Sequence, residues 1–169
     1  ALARVFRTTL ATIPADVGYL AAAPERIAVW REKAGLRKRA NEMLVGIAWQ
    51  GNPNHEWDRF RSVSLTQFEP LARIGGVRLV SLQRGPGIEQ IEGFQRMTNG
   101  ALVVPTDGRQ TTPEDLADST AVMSLVDLII TVDTATAHLA GALARPVWVG
   151  VSRAADWRCR QWCRCAIPA

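Results

Sequence analysis

Val126-Asp127-Leu128-Ile129-Ile130-Thr131-Val132-Asp133-Thr134-Ala135-Thr136-Ala137-His138-Leu139-Ala140-Gly141 decides how this chain folds. Val126 to Val132 is an apolar run without alternation, the pattern of a strand covered on both faces. Leu139, Ala140, Ala142 and Leu143 then recur at helical spacing. Small and hydroxylic residues occupy the turn between strand and helix. A helix start carries roughly half a positive charge together with unpaired N–H donors, so this corner suits a phosphate without needing a lysine. Asp133 and Thr134 also suit the plainer task of capping the helix.

Outward from this corner the same alternation repeats. Upstream, Leu44 to Trp49 reads as a buried strand and Gln50 to Val63 as a polar loop, and Ser64 and Gln67 stand at capping-box spacing before a helix. Gly75-Gly76 closes that helix, and Val77 to Leu82 is the next strand. Gln83 to Gly100 is a glycine-containing connection with a short helix around Glu89 to Met97, followed by a third strand, Ala101 to Val104. Thr112-Pro113-Glu114-Asp115 opens a helix expected to turn Leu116, Val122 and Met123 inward. The Thr134 helix runs to about Ala144 and leads to a last strand, Pro146 to Val151. Pro24 to about Ala40 fits a helix with Ile27, Trp30 and Ala34 on one face. Strands alternating with helices predict an α/β fold, a Rossmann-like doubly wound parallel sheet of about five strands. The chain divides into a lead-in (1–23), a connecting helix (24–40), the sheet-forming lobe (41–158) and a divergent tail (159–169).

Composition narrows the function. The 169 residues are 47% hydrophobic and 21% charged, enough for one domain with a real core. The net charge of +4 is concentrated in Arg31 to Arg39 and Arg153 to Arg164, which is too discontinuous for a nucleic-acid footprint. No apolar run approaches the roughly 20 residues needed to span a bilayer. The opening Ala1-Leu2-Ala3-Arg4-Val5-Phe6 lacks the layout of a secretory signal, so a cytoplasmic protein is expected. Cys159, Cys163 and Cys165 lack the paired spacing of a zinc site, and no metal is expected.

In a parallel sheet every strand ends at one rim, and ligands bind outside those carboxyl ends. The loops there bring together His55, Arg59, Arg61, Arg84, Arg109, Asp133, Thr134, Thr136 and His138. Cations and hydroxyls predominate and paired carboxylates are scarce, which suits holding a diphosphate better than acid–base hydrolysis of a glycoside. The sequence has no His-Glu-x-x-His, no Gly-x-Ser-x-Gly and no P-loop, and Gly51-Asn52-Pro53-Asn54 stands where a dinucleotide fingerprint would follow the first strand. Each residue also has a bland alternative. Arg59 and Arg61 beside Glu56 and Asp58 could form surface ion pairs worth ~0–1 kcal/mol. His138 could pack on a strand, and Trp49 could be core or crevice wall.

Several motifs together resemble a known family. They are Val45-Gly46-Ile47-Ala48-Trp49-Gln50-Gly51-Asn52-Pro53 with His55, Asp58, Arg61 and Ser62; Ser81-Leu82-Gln83; Asp118 to Ala121; and Val132 to Leu143 with Pro146-Val147-Trp148. From about Thr8 to Trp157 the chain resembles the glycosyltransferase-like domain at the C-terminal end of many bacterial tetratricopeptide-repeat proteins, related to the lipopolysaccharide heptosyltransferases.

The resemblance implies a GT-B architecture of two Rossmann-like lobes, with this chain the C-terminal, donor-binding lobe and residues 1–23 the end of a missing N-terminal lobe. It implies a hexosyl- or heptosyl-type transferase of inverting type that needs no metal and no cofactor and uses a nucleoside-diphosphate sugar as substrate. Asp133, Thr134 and Ala135 would meet the donor's phosphates and sugar, and His138 would support the turn or reach the ligand. Arg61, with His55 and Arg59, would neutralise the leaving group, and Gln83, Pro105 and Asp107 would neighbour the nucleoside. The base for the acceptor would come from the absent lobe, so weak or no transfer is expected of this chain alone. Its partners would be the nucleotide sugar, the N-terminal lobe and the repeat region, with no nucleic acid and no integral membrane segment. After Asp156-Trp157-Arg158 the sequence departs from the family, where an aromatic, proline-containing continuation and a closing helix are expected. Two rival functions remain open at this level: a non-catalytic binding or scaffold module of a tetratricopeptide-repeat protein, and a flavodoxin-like phosphate binder.

Overall fold

The computed structural model describes residues 2–9, 12, 18–105 and 113–152. One helical turn, α1 (Leu2–Val5), precedes α2 (Pro24–Lys33) and the first strand, β1 (Met43–Ala48). A second single turn, α3 (Asp58–Arg61), lies in the loop after β1, and a 3-10 turn (Leu65–Phe68) leads into α4 (Glu69–Ala72). The chain continues through β2 (Val77–Ser81), α5 (Ile91–Met97), β3 (Leu102–Val103), α6 (Pro113–Leu125), β4 (Leu128–Val132), α7 (Ala135–Ala142) and β5 (Val147–Gly150).

The five strands lie in the order β3-β2-β1-β4-β5, and every neighbouring pair is parallel. β1 is central: Val45 is in register with Leu79 on one side and Leu128 on the other. Its residues from Leu44 onward are all buried, as expected for a strand covered on both faces. Side chains alternate across the sheet. Leu44, Ala48, Val80, Leu82 and Ile129 pack with Trp30 of α2 and Ala121, Val122 and Met123 of α6. Val45, Ile47, Leu79 and Leu102 pack on the other face with Leu65, Phe68 and Phe94.

At the edge opposite the strand carboxyl ends, Asp127 ties β4 to β1. Its backbone N–H donates to Leu44 O (2.8 Å), and its Oδ2 accepts from Leu44 N (2.9 Å). Its Oδ1 receives Lys38 Nζ at 2.7 Å. Partial burial pushes this carboxyl upward, but the Lys38 hydrogen bond, the Leu44 N–H and the charges of Lys38 and Arg145 together hold it below the usual carboxylate range.

The alternation of elements agrees with the sequence expectation, and three local details differ. Leu116, expected inside, is 54% exposed, whereas Val122 and Met123 are buried as expected. Asp115 in that first turn and Ser119 one turn later bind Arg84 instead. α2 ends at Lys33, well short of Ala40, because the chain leaves the helix to place Leu36 in the core, where it is 2% exposed. Ser64 Oγ accepts from Thr66 N at 3.3 Å, so the capping-box position starts a 3-10 turn before α4 begins. The lead-in is tied to the lobe where Leu20 N donates to Ala142 O at 3.0 Å. Thr112 and the tail 159–169 lie outside the described residues.

Candidate functional site

The strand order reverses between β1 and β4, because β1 continues to β2 on one side while β4 continues to β5 on the other. The loops leaving β1 and β4 therefore diverge and open a crevice at the carboxyl edge. A cleft of about 360 Å³ occupies this point, at the small end of ligand-site volumes. It is lined by Gln50, Gly51, Asn52 and Arg61 from the β1 loop, Gln83 to Pro86 from the β2 loop, and Thr134 to Thr136 at the start of α7.

At the β4–α7 corner the start of the helix carries no side-chain cap from its N-cap residue. Thr134 is extended (φ −139°, ψ 178°) and stands as the N-cap of α7, yet its side chain makes no capping hydrogen bond. Its Oγ1 instead donates to Val132 O at 3.4 Å. Ala137 N already donates to Thr134 O at 3.0 Å, whereas the two amides before it have no acceptor within the helix, and the hydroxyl that could have capped them is turned away. Ala135 and Thr136 keep the approach short and open.

Arg61 faces this corner from across the cleft. Its Nη1 donates to Asp133 O at 3.2 Å, which joins the β1 loop to the β4 turn. Its Nε donates to Asp58 Oδ1 at 3.1 Å. Asp58 is only 6% exposed, and its Oδ2 accepts from Ser62 Oγ at 2.9 Å. Ser62 Oγ in turn accepts from Gly51 N at 2.9 Å, so all four residues form one connected unit. The pair is not the exposed surface contact that neighbouring charges in the sequence suggested.

Gln83 organises the opposite wall. Its Oε1 accepts from Trp49 N (2.9 Å) and Gln50 N (3.1 Å). Its Nε2 lies within donating distance of Gln50 O (2.9 Å), Arg84 O (3.2 Å) and Pro86 O (2.7 Å). One buried amide thus fixes the ends of β1 and β2 to each other. Gly87 adopts φ +97°, a conformation costly for side chains with a Cβ, and its carbonyl accepts from the fully buried Trp49 Nε1 at 3.2 Å. Trp49 is therefore core beneath the cleft.

Of the residues singled out in the sequence, Arg61, Gln83, Thr134, Ala135, Thr136 and Arg84 line the cleft. Asp133 joins it through its carbonyl. Arg84 is held by α6, with Nε on Ser119 Oγ (3.0 Å), Nη1 on Asp115 Oδ1 (3.0 Å) and Nη2 on Asp115 O (2.9 Å). His55, Arg59 and His138 are exposed and are not among the lining residues. His55 Nδ1 accepts from Trp57 N at 3.2 Å, and the Arg59 guanidinium lies 4.5 Å from the centre of the Phe60 ring. Pro105 is half-buried and lines a small recess with Ser81, Ser119 and Val122 beside the cleft. Asp107 and Arg109 lie outside the described residues.

Sequence reasoning assigned Gly51 and Ser62 no role and Asp58 only that of a surface ion-pair partner, although all three stand in the motif that carries the resemblance. Their signal was a carboxylate three residues before an arginine with a glycine and a serine around them, which becomes informative only once the loop is closed. Among the described residues no group of three His, Cys, Asp or Glu side chains is placed to hold a metal ion. No helix among them is long and apolar enough to cross a membrane.

Residues 111–154, which include β4, α7 and β5, match the family model of glycosyltransferase family 9 (heptosyltransferase). The chain is 32% identical over 152 residues, 89% of its length, to Protein FlbA of Caulobacter vibrioides. It spans 24% of that relative's length. No solved structure matches the chain.

Proposed function

We propose that this chain is the nucleotide-sugar-binding lobe of a GT-B glycosyltransferase of hexosyl or heptosyl type. The observation that carries the reading is the convergence of the uncapped α7 start and the Arg61 guanidinium on one cleft at the switch point. The α7 side of that cleft lies within the segment matched by the glycosyltransferase family 9 model.

The chemistry follows from what these groups can do. Transfer of a sugar from a nucleoside diphosphate leaves negative charge on the departing phosphate, and donors already aimed at that position stabilise it without reorganising. The α7 amides and Arg61 supply such donors here, so departure needs neither a metal nor a cofactor. Arg84, held by Asp115 and Ser119, borders the same cleft from the β2 loop. The nucleoside would extend toward Pro105 and the segment holding Asp107. The acceptor and its base would come from an N-terminal lobe, the parent protein would carry tetratricopeptide repeats, and the protein would work in the bacterial cytoplasm.

Titration calorimetry of the full chain with UDP-, GDP- and ADP-sugars tests this directly. Saturable binding of one member of the panel supports the reading. If none binds, the assignment as a donor lobe is overturned and a scaffold module is favoured.

A further inference from the structure

We infer that Asp58 is a positioning residue for the Arg61 guanidinium, so that the site is set by a buried carboxylate one turn away from the cation that meets the ligand. The inference rests on the donor-lobe reading for the identity of the ligand, but its geometric core stands apart from it.

An arginine in a loop has several rotatable bonds and, left to itself, spreads its charge over many positions. Here two of its nitrogens are committed. Nε is held by Asp58 Oδ1 and Nη1 by Asp133 O, one anchor on each side of the switch point. Nη2 makes no hydrogen bond with the described residues, and the side chain lines the cleft. Fixing Nε and Nη1 of a planar fork fixes the direction of the third nitrogen as well.

Asp58 is itself held rigidly. Its second oxygen takes the Ser62 hydroxyl, and Gly51 N closes the chain of hydrogen bonds, so the carboxylate is buried and partnered on both oxygens. A carboxylate serving only as a counter-ion would not need such a frame. The consequence for binding is that Asp58 offsets the charge of Arg61 while sharpening its direction, so recognition depends on donor placement more than on net positive charge.

The test combines a local probe with a ligand titration on the full chain. In protein labelled with 15N-arginine, the Arg61 Nε–H should exchange slowly with water, and Asp58→Asn should accelerate that exchange while thermal unfolding stays cooperative. Affinity for whichever of UDP, GDP or ADP binds the wild-type chain should fall by about tenfold, near the low end of what one charge-assisted hydrogen bond is worth, because the Arg61 donor is misdirected and not removed. If Asp58→Asn does not fold, Ser62→Ala, which frees a single carboxylate oxygen, should produce the same change in exchange to a smaller degree. Unchanged Nε–H exchange in the variant overturns the inference, as does unchanged nucleotide affinity with faster exchange. Failure of all three nucleotides to bind wild-type protein overturns the donor reading, and the exchange measurement then decides the positioning role alone.

Discussion

Gly51 and Asp58 lie so close that a Cβ on Gly51 would clash with Asp58 Oδ1 and lie 2.8 Å from Arg61 Nη2. The loop after β1 is thus folded tightly around an ion pair, and the backbone at Gly51 forms part of the cleft wall. Steric room, more than backbone conformation, demands glycine here.

Gly51→Ala should therefore displace the Arg61 fork without removing any polar group. The chain should fold with its sheet intact, because Gly51 lies beyond the end of β1. Nucleotide-sugar affinity should drop by at least the effect of losing Arg61's contact. Far-UV circular dichroism paired with calorimetric titration checks this, and wild-type affinity in the variant would refute it.

Arg61→Ala removes the cation itself. A charge-assisted hydrogen bond to phosphate is worth ~1.5–3 kcal/mol, so affinity should fall by that amount. Arg59→Ala should leave binding within experimental error, because Arg59 is exposed and stacked on Phe60. Comparing the two variants in one titration series separates a directed contact from a general loss of positive charge.

Gln83→Ala should act on stability. It strips the acceptor from Trp49 N and Gln50 N and leaves the carbonyls of Gln50 and Pro86 without their amide donor. With about 1–3 kcal/mol for each buried group left unpaired and some relief by water, a loss of about 3 kcal/mol is expected in denaturant unfolding. A change below about 1 kcal/mol would show that the β1 and β2 ends hold together without this amide.

Asp127 predicts a pH dependence with a definite sign. Its carboxyl titrates lower in the folded protein than in the unfolded chain, despite the opposing effect of burial, because of Lys38 and the Leu44 N–H. The contribution to stability is then complete above the unfolded value of about 3.9 and is lost as pH falls through the folded value. Asp127→Asn should lower stability at neutral pH and make the decline below about pH 4 shallower. Thermal melts of both proteins across that range measure it, and parallel pH profiles would exclude the carboxylate.

Much of the fold can be read from the chain because its strands are apolar runs without alternation and its helices show their own spacing. Those are local properties. Val126 to Val132, the small residues after it and the helix that follows announce a strand-to-helix corner before any coordinates are known, and the corner lies where expected, with α7 starting at Ala135. Leu116 shows the limit of such patterns: its spacing matches Met123, but the first turn of α6 lies over the polar Arg84 and so turns a different face inward.

Sequence by itself determined the class of the fold, the run of elements and the small-residue corner after β4. Tertiary structure alone decided which cation meets that corner. Arg59 and Arg61 are two positions apart on a single helical turn, so their side chains leave it roughly 200° apart, and no local pattern says which faces inward. The choice is made by burial of Asp58 and by the pairing of β1 with β4, which brings Asp133 O within reach of Arg61 across 72 residues of chain. Contacts at that separation depend on strand order, and strand order is fixed by packing the whole sheet.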